Sequence, residues 1–259
     1  MKLFFEDFKK YRYFLLQLVK KEIKLKYRSS YLGVIWTLLE PLLTMLVLTA
    51  VFTKLFSRNA VDDYPVYILT GRLMFSFFSQ STTQALKSVR NHSGMIKKVY
   101  VPKYMYPAAS VLSNYIMFLI SLIVLAIVII VRGIRPTFYI FQAIIPLVTV
   151  LIFSLGVGML LSTVAVFFRD LEYLWGVATM IVMYASAIFY NVESVSTKAN
   201  EWMFRFNPVY AVITNFRAAI FGRPMDGFLA WYSAGVALAS LALGAIVFSK
   251  NQDKFILHL

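Results

Sequence analysis

The sequence predicts an all-α integral membrane protein, and three observations support this prediction. Of its 259 residues, 60% are hydrophobic and only 15% are charged, whereas soluble domains are about 45–50% apolar and about 25% charged. The mean hydropathy is +0.71. The apolar residues also form stretches of about 20 residues or more, the length that a helix needs to cross the roughly 30 Å hydrocarbon layer. We therefore expect the surplus apolar surface to face lipid.

The first element is an amphipathic helix over residues 3–28. Its apolar residues recur at spacings of four and three, which places them on one face; they are Phe4, Phe8, Tyr11, Leu15 and Leu18. Lysines and arginines occupy much of the remaining surface. Such a helix is expected to lie in the headgroup plane, with its basic residues on anionic lipid. The alternative is a solvated helix packed on a neighbouring element.

Six apolar stretches predict six membrane spans, over about 32–56, 65–88, 107–131, 138–167, 172–190 and 228–249. Pro41 predicts a kink in the first span, and Glu40 lies next to it. The second half of the second span, SFFSQSTTQALKS, is polar and is expected to face other helices or a wet cavity. In the fourth span, Ser154, Gly158 and Ser162 form a small-residue stripe suited to close helix packing.

The connections between the spans complete one transmembrane domain over residues 1–259. Residues 191–227 are too polar to span and too aromatic for a free loop, so they predict short re-entrant or interfacial helices on the outer side. Residues 87–106 form a polar, basic loop, and residues 167–173, FFRDLEY, form a short connection. The sequence contains no repeat that would indicate a second domain.

The distribution of basic residues predicts the orientation. The segments 1–31, 87–106, 168–172 and 250–259 hold 17 of the 26 Lys and Arg residues. By the positive-inside rule these segments, and with them both termini, lie in the cytoplasm. Because most of the charge adjoins membrane spans, topology explains the net charge of +14 better than nucleic-acid binding does.

Motifs for catalysis are absent from the sequence. It contains no GxxxxGK[ST], GxSxG or HExxH motif, no cysteine and only two histidines, so we expect no catalytic, cofactor or metal site on this chain. A membrane enzyme acting on a polyprenyl lipid would need grouped acidic or histidine residues, and only Asp170 with Glu172 comes near this. A channel or secondary transporter would need intramembrane charges or broken-helix repeats, which Glu40 and Arg72 alone do not supply.

Four segments, in order, resemble the permease subunits of type-2 ABC exporters for polysaccharides, teichoic acids and O-antigens. They are KYRSSYLGVIWTLLEPLL at 26–43, the loop from Asn91 to Pro107, FFRD at 167–170 and NPVY at 207–210. The resemblance extends over essentially the whole chain. Glu40 and Arg72 are departures from the pattern.

The resemblance implies a homodimer with two cytoplasmic ATP-binding subunits, which would hold the ATP and Mg. The chain itself would not be an enzyme. The substrate would be a glycopolymer on a polyprenyl-pyrophosphate carrier, moved outward across the cytoplasmic membrane of a bacterium. The near alternative is an ABC exporter for small lipophilic molecules or lipids.

The resemblance also implies two contacts with the ATP-binding subunit. The basic loop would supply a docking element, with the residues Asn91, His92, Ile96, Lys97, Lys98 and Pro102. The alternative is a plain positive-inside loop. Arg169 and Asp170 would form a second contact or an inner gate, and the alternative there is a local ion pair.

Two further groups are candidates for contact with the substrate. Lys20, Lys24 and Arg28 follow one another at spacings of four, and we hypothesise that they attract the pyrophosphate; anionic lipid is the alternative. Aromatic faces suit a sliding sugar polymer, and the candidates for the path are Trp36, Phe75, Phe78, Tyr184 and Tyr190. The alternative for these aromatics is packing or contact with lipid.

Overall fold

A computed structural model describes residues 2–28, 30–56, 63–98, 101–192 and 201–255. Its helices are α1 (Lys2–Tyr27), α2 (Trp36–Phe56), α3 (Tyr64–Asn91), α4 (Ser93–Ile96), α5 (Met105–Val131), α6 (Ile144–Phe167), α7 (Leu171–Ala185), α8 (Glu201–Arg205), α9 (Pro208–Ile220) and α10 (Gly227–Asn251). Short 3-10 segments precede α2 and α6 and follow α10. The described part of the chain contains no strand, so the all-α prediction is confirmed. The side chains of Phe4 and Phe8, and most of the predicted 57–64 loop, lie outside the described residues.

Four helical stretches in the described residues are long and apolar enough to cross a membrane. They are Gly33–Phe52, Met105–Val131, Phe138–Phe167 and Gly227–Lys254, which correspond to the first, third, fourth and sixth predicted spans. The second and fifth predicted spans are not among these four, for physical reasons. Helix α3 is 28 residues long but carries many polar residues, and α7 has only 15 residues.

The chain after α7 nevertheless continues alongside α3. Near the start of α7, the indole of Trp175 donates a hydrogen bond to the Thr82 hydroxyl at 3.2 Å. At the other end of α3, the Tyr64 hydroxyl donates to the Phe189 carbonyl at 2.7 Å. Residues 171–190 therefore run antiparallel to α3 along most of its length.

Helix α3 lies at the centre of the bundle and contacts α2, α5, α6, α7 and α9. The tightest helix pair is α6 with α10, where a Cβ on Gly244 would lie 2.5 Å from the Gly156 carbonyl oxygen. A Cβ on Gly158 would lie 2.9 Å from Ala85 of α3. These contacts confirm that the glycines of α6 serve close helix packing.

The two ends of the bundle differ in charge. Where α3 begins and α5 ends, Asp63 and Arg132 form an ion pair at 2.6 Å. At the opposite end, the Lys103 ammonium donates to the Gln252 carbonyl at 2.6 Å. We term this second end the basic end, because Lys87 and Arg90 of α3, Lys97, Lys98 and Lys103, and Arg169 of the α6–α7 connection gather there. It is the side that the charge distribution predicts to be cytoplasmic.

Helix α1 packs across the basic end. Leu15, Leu18 and Val19 are buried in one cluster with Ile96 and Tyr106. Part of the apolar face of α1 therefore covers protein, and its position in the headgroup plane stays a prediction.

Candidate functional site

One side of α3 is polar over most of its length. From Arg72 to the end of the helix, every position that is not buried carries a polar or charged side chain, at spacings of one, three and four: Arg72, Ser76, Ser79, Gln80, Thr83, Gln84, Lys87, Arg90 and Asn91. We term this set the polar face of α3. A surface of amides, hydroxyls and cations is costly in hydrocarbon, so it must meet water, protein or a polar ligand.

At the basic end, a chain of hydrogen bonds ties α1 to this face. The Lys26 ammonium donates to Gln80 Oε1 at 3.1 Å and to Asn114 Oδ1 at 3.4 Å. The Asn114 amide donates to Gln84 Oε1 at 2.7 Å, and the Gln84 amide donates to Glu22 Oε2 at 2.5 Å. Sequence reasoning missed this network, although the matching four-residue spacings of Glu22 with Lys26 and of Gln80 with Gln84 could have indicated it.

His92, a predicted docking residue, belongs to the same network. Its Nδ1 lies 2.9 Å from the Ser88 carbonyl oxygen, and since a carbonyl only accepts, this nitrogen carries a proton. Its Nε2 lies 3.8 Å from Glu22 Oε1, and its ring lies 4.9 Å from that of Tyr106. The start of the predicted docking loop is therefore linked to α1.

The other docking candidates divide into buried and accessible residues. Ile96 is only 7% exposed and is buried in one cluster with Leu15 and Leu18 of α1; its contact with a partner stays a prediction. Asn91, Lys97 and Lys98 are exposed, and Pro102 is half-buried. The predicted loop also begins later than expected, because α3 extends to Asn91.

Arg169 and Asp170 are both exposed, and among the described residues neither forms an ion pair. The local ion pair considered for them is thus not observed. Instead, Glu172 pairs with Lys87 and with Arg90, the latter at 2.7 Å, which fastens the start of α7 to the polar face of α3.

The aromatic residues predicted for the translocation path also fall into buried and accessible groups. Phe75 and Phe78 are 4% and 2% exposed, and Phe78 stacks on Phe153 at 5.2 Å, so both pack inside the chain. Trp36 and Tyr184 are exposed, Tyr190 is half-buried, and the Tyr190 hydroxyl donates to the Tyr184 carbonyl at 2.6 Å.

A polar cavity lies where the C-terminal end of α1 meets α2, α3 and α5. Its lining includes three charged residues, Lys26, Glu40 and Arg72, together with Pro41 and several hydroxyl and amide groups. The two departures from the family pattern therefore share one cavity. Loss of water around the Lys26 ammonium lowers its pKa, an effect that the Glu40 carboxylate opposes. Pro41 lies within α2, and the helix continues on both sides of it.

Another cation that sequence reasoning missed is Arg217 of α9. Its guanidinium donates to the carbonyls of Ala187 (3.0 Å), Ile188 (3.1 Å) and Tyr67 (3.1 Å). Asn207, at the start of the NPVY segment, caps α9 and donates to the Ala185 carbonyl at 3.1 Å. Both residues therefore fix the turn that follows α7.

Comparison with known proteins adds a family match over most of the chain. The profile of the family described as ABC-2 type transporter matches residues 13–221. The chain is 29% identical to the O-antigen export system permease protein RfbA of Klebsiella pneumoniae, over 93% of each chain. It is 26% identical to the protein of the same name from Myxococcus xanthus, over 95% of each chain. The polysialic acid transport protein KpsM of Escherichia coli is 23% identical, over 88% of this chain and 86% of that protein.

Proposed function

The chain belongs to the ABC-2 type transporter family, and from that membership we propose that it is the transmembrane subunit of an ATP-driven polysaccharide exporter. The cargo is a lipid-linked polymer of the O-antigen or teichoic-acid type, as the names of the relatives suggest for O-antigen. The polar face of α3 carries the proposal, because a hydrophilic polymer needs a wet passage through the bilayer. A lipophilic cargo, the alternative weighed from the sequence, has no need of such a surface.

In this proposal two copies of the chain assemble with two cytoplasmic ATP-binding subunits. The polar face of α3 then lines the passage, and its contact with water or sugar removes the cost of placing it in lipid. Each chain crosses the inner membrane of a bacterium six times, with residues 171–190 as the fifth crossing and both termini in the cytoplasm. ATP and Mg are bound by the partner subunits.

The ATP-binding subunit would contact the basic end of the bundle. The exposed residues there are Asn91 at the end of α3 and Lys97 and Lys98 in the turn after α4, and Arg169 with Asp170 supplies a second contact. Because His92 is linked to Glu22, movement of the docking element would be transmitted to α1.

The experiment is co-expression of the chain with its ATP-binding partner, followed by co-purification and ATPase assay. The test variant is Lys97→Glu with Lys98→Glu, and the control is Lys250→Glu with Lys254→Glu, which makes the same charge change at exposed positions near the C-terminus. Reversal of charge at a contact weakens association strongly, so we expect roughly tenfold less partner with the test variant and no loss with the control.

The other outcomes are equally informative. If the charge reversal at Lys97 and Lys98 leaves the complex intact, the docking contact is assigned instead to Arg169 and Asp170. Failure of any ATP-binding subunit to co-purify with the unaltered chain, together with intact surface polysaccharide in a strain that lacks the chain, would refute the exporter proposal.

A further inference from the structure

Arg72 lies at a depth where a cation needs a specific reason to be present. It follows Tyr64, the first residue of α3, by eight residues, which is about 12 Å along the helix axis. Lys87, at the basic end, lies a further fifteen residues on, or about 22 Å. The guanidinium therefore lies within the roughly 30 Å hydrocarbon layer of the proposed orientation.

The surroundings of Arg72 do not neutralise it. A guanidinium carries five N–H donors, yet among the described residues Arg72 forms no ion pair, and its one hydrogen bond is from Nη1 to Met183 Sδ at 3.7 Å. Thioether sulfur is a weak acceptor. Since a charged group in the membrane needs strong partners, water or an anion must supply the missing acceptors.

The cavity that Arg72 lines has a surplus of positive charge. Its one carboxylate, Glu40, interacts electrostatically with Lys26, whose ammonium also donates to Gln80 and Asn114. The lining thus holds two cations, Lys26 and Arg72, and one carboxylate, so one positive charge has no counter-charge among the lining residues.

The size of the cavity limits what can bind there. Its volume is about 60 Å³, which accommodates a few water molecules but not a sugar ring. A carboxylate or phosphate group can enter, while the ring that carries it stays outside the cavity, along the polar face of α3.

We propose that Arg72 is an anion-recognition residue of the translocation path, which binds carboxylate or phosphate groups on the passing saccharide. The inference rests on the proposed export of a polysaccharide and adds that this polymer is acidic. Both groups present paired oxygens that a planar guanidinium binds through two parallel hydrogen bonds, which an ammonium cannot reproduce.

The test is binding of three soluble oligosaccharide-like probes to the purified complex of this chain with its ATP-binding subunit, measured by calorimetry. The probes are a sialic acid hexamer, a glycerol phosphate hexamer and neutral maltohexaose. Arg72→Gln is compared with Arg72→Lys, and Arg135→Gln is the control, because Arg135 is an exposed arginine in the turn before α6.

For the unaltered complex we expect tighter binding of at least one acidic probe than of maltohexaose. Arg72→Gln should weaken acidic binding about tenfold, through loss of a charge-assisted pair, and leave maltohexaose binding unchanged. Arg72→Lys should lie between the two, and Arg135→Gln should match the unaltered complex. The stronger of the two acidic probes identifies the group that is recognised.

Three results would overturn the inference. They are equal binding of neutral and acidic probes, an Arg72→Gln variant that keeps its acidic preference, and a variant that loses all three probes equally, which indicates a structural role. The exporter proposal would survive each of these as long as the ATP-binding subunit co-purifies and the strain exports its polysaccharide.

Discussion

Two glycines set the distance between α6 and α10. A Cβ on Gly156 would collide with the backbone nitrogen of Leu241, and a Cβ on Gly244 would lie 2.5 Å from the Gly156 carbonyl oxygen. Without side chains at these positions the two backbones touch, as small residues allow in membrane helices. Gly235 of α10 has no heavy atom within 4 Å of its would-be Cβ, so glycine is not needed there for packing.

We predict that Gly244→Ala destabilises the protein by about 1–3 kcal/mol, because the helices must separate to admit the methyl group. Gly235→Ala is the matched control on the same helix and should be neutral or stabilising by up to about 1 kcal/mol, since alanine favours the helix. Thermal unfolding of the purified protein in detergent measures both. Equal midpoints for the two variants would contradict the close packing of α6 on α10.

Arg217 of α9 and Arg72 of α3 have opposite surroundings. Arg217 is buried, its guanidinium is satisfied by three carbonyl groups, and it lies 3.5 Å from the centre of the Tyr67 ring. It also holds Ala187, a non-glycine residue in the left-handed region at φ 48°. Arg72 borders a cavity and lacks such acceptors. The first arrangement is structural, and the second leaves a charge available to a ligand.

At the scale of elements, one face of α1 packs on the bundle and another is exposed. Leu15, Leu18 and Val19 pack on the bundle, and Glu22 and Lys26 bond to α3 and α5. The predicted headgroup contacts, Lys20, Lys24 and Arg28, are all exposed and lie on one side of α1. Their recognition of pyrophosphate stays a prediction, and the geometry leaves them free for it.

We predict that replacement of Lys20, Lys24 and Arg28 by Gln raises the polymer level needed for half-maximal export about a hundredfold, since each cation near a membrane surface contributes about 1 kcal/mol of attraction to anionic groups and three are removed. Transport of a labelled lipid-linked polymer into the lumen of inverted vesicles measures this. The charge-retaining control, Lys20→Arg, Lys24→Arg and Arg28→Lys, should behave like the unaltered chain. Unchanged export in the Gln variant would eliminate the headgroup role, and loss of the variant from the membrane would assign the cations to lipid binding.

At the scale of the whole molecule, the arrangement of helices gives two polar ends and one polar lengthwise surface. The basic end gathers the docking element, the Glu22 network and the Glu172 ion pairs. The opposite end carries the Asp63–Arg132 pair and the turn held by Arg217. The polar face of α3 joins the basic end to the interior of the bundle, so a hydrophilic cargo that enters at the basic end meets Arg72 farther along.

We predict the membrane topology that labelling of single introduced cysteines will report. The sequence contains no native cysteine, so each introduced thiol is the one that is labelled. Gly94→Cys, Arg135→Cys and Trp202→Cys introduce thiols at exposed positions. In spheroplasts, a membrane-impermeant maleimide should label positions 135 and 202 directly and position 94 only after permeabilisation. Labelling of 94 and 135 from the same side would refute the predicted orientation. Labelling of 202 with 94 would show that residues 171–190 do not cross.

The sequence by itself determined the class of protein, the positions of the four strongly apolar helices and the polar character of the second half of α3. It also identified the family, through short segments that run the length of the chain. These are local properties: hydropathy, spacing and motif are fixed by residues that are near one another in the chain.

Only the tertiary structure decided which side of each helix is covered. It buried Ile96 and Phe78 and paired Glu172, rather than Asp170, with cations of α3. It also aligned the polar residues of α3 on one face and placed Glu40 and Arg72 on one cavity. In an apolar solvent both faces of a helix can be apolar, so hydropathy does not tell which one meets protein. Contacts between residues far apart in the sequence determine this, and with it which charges remain available to a substrate.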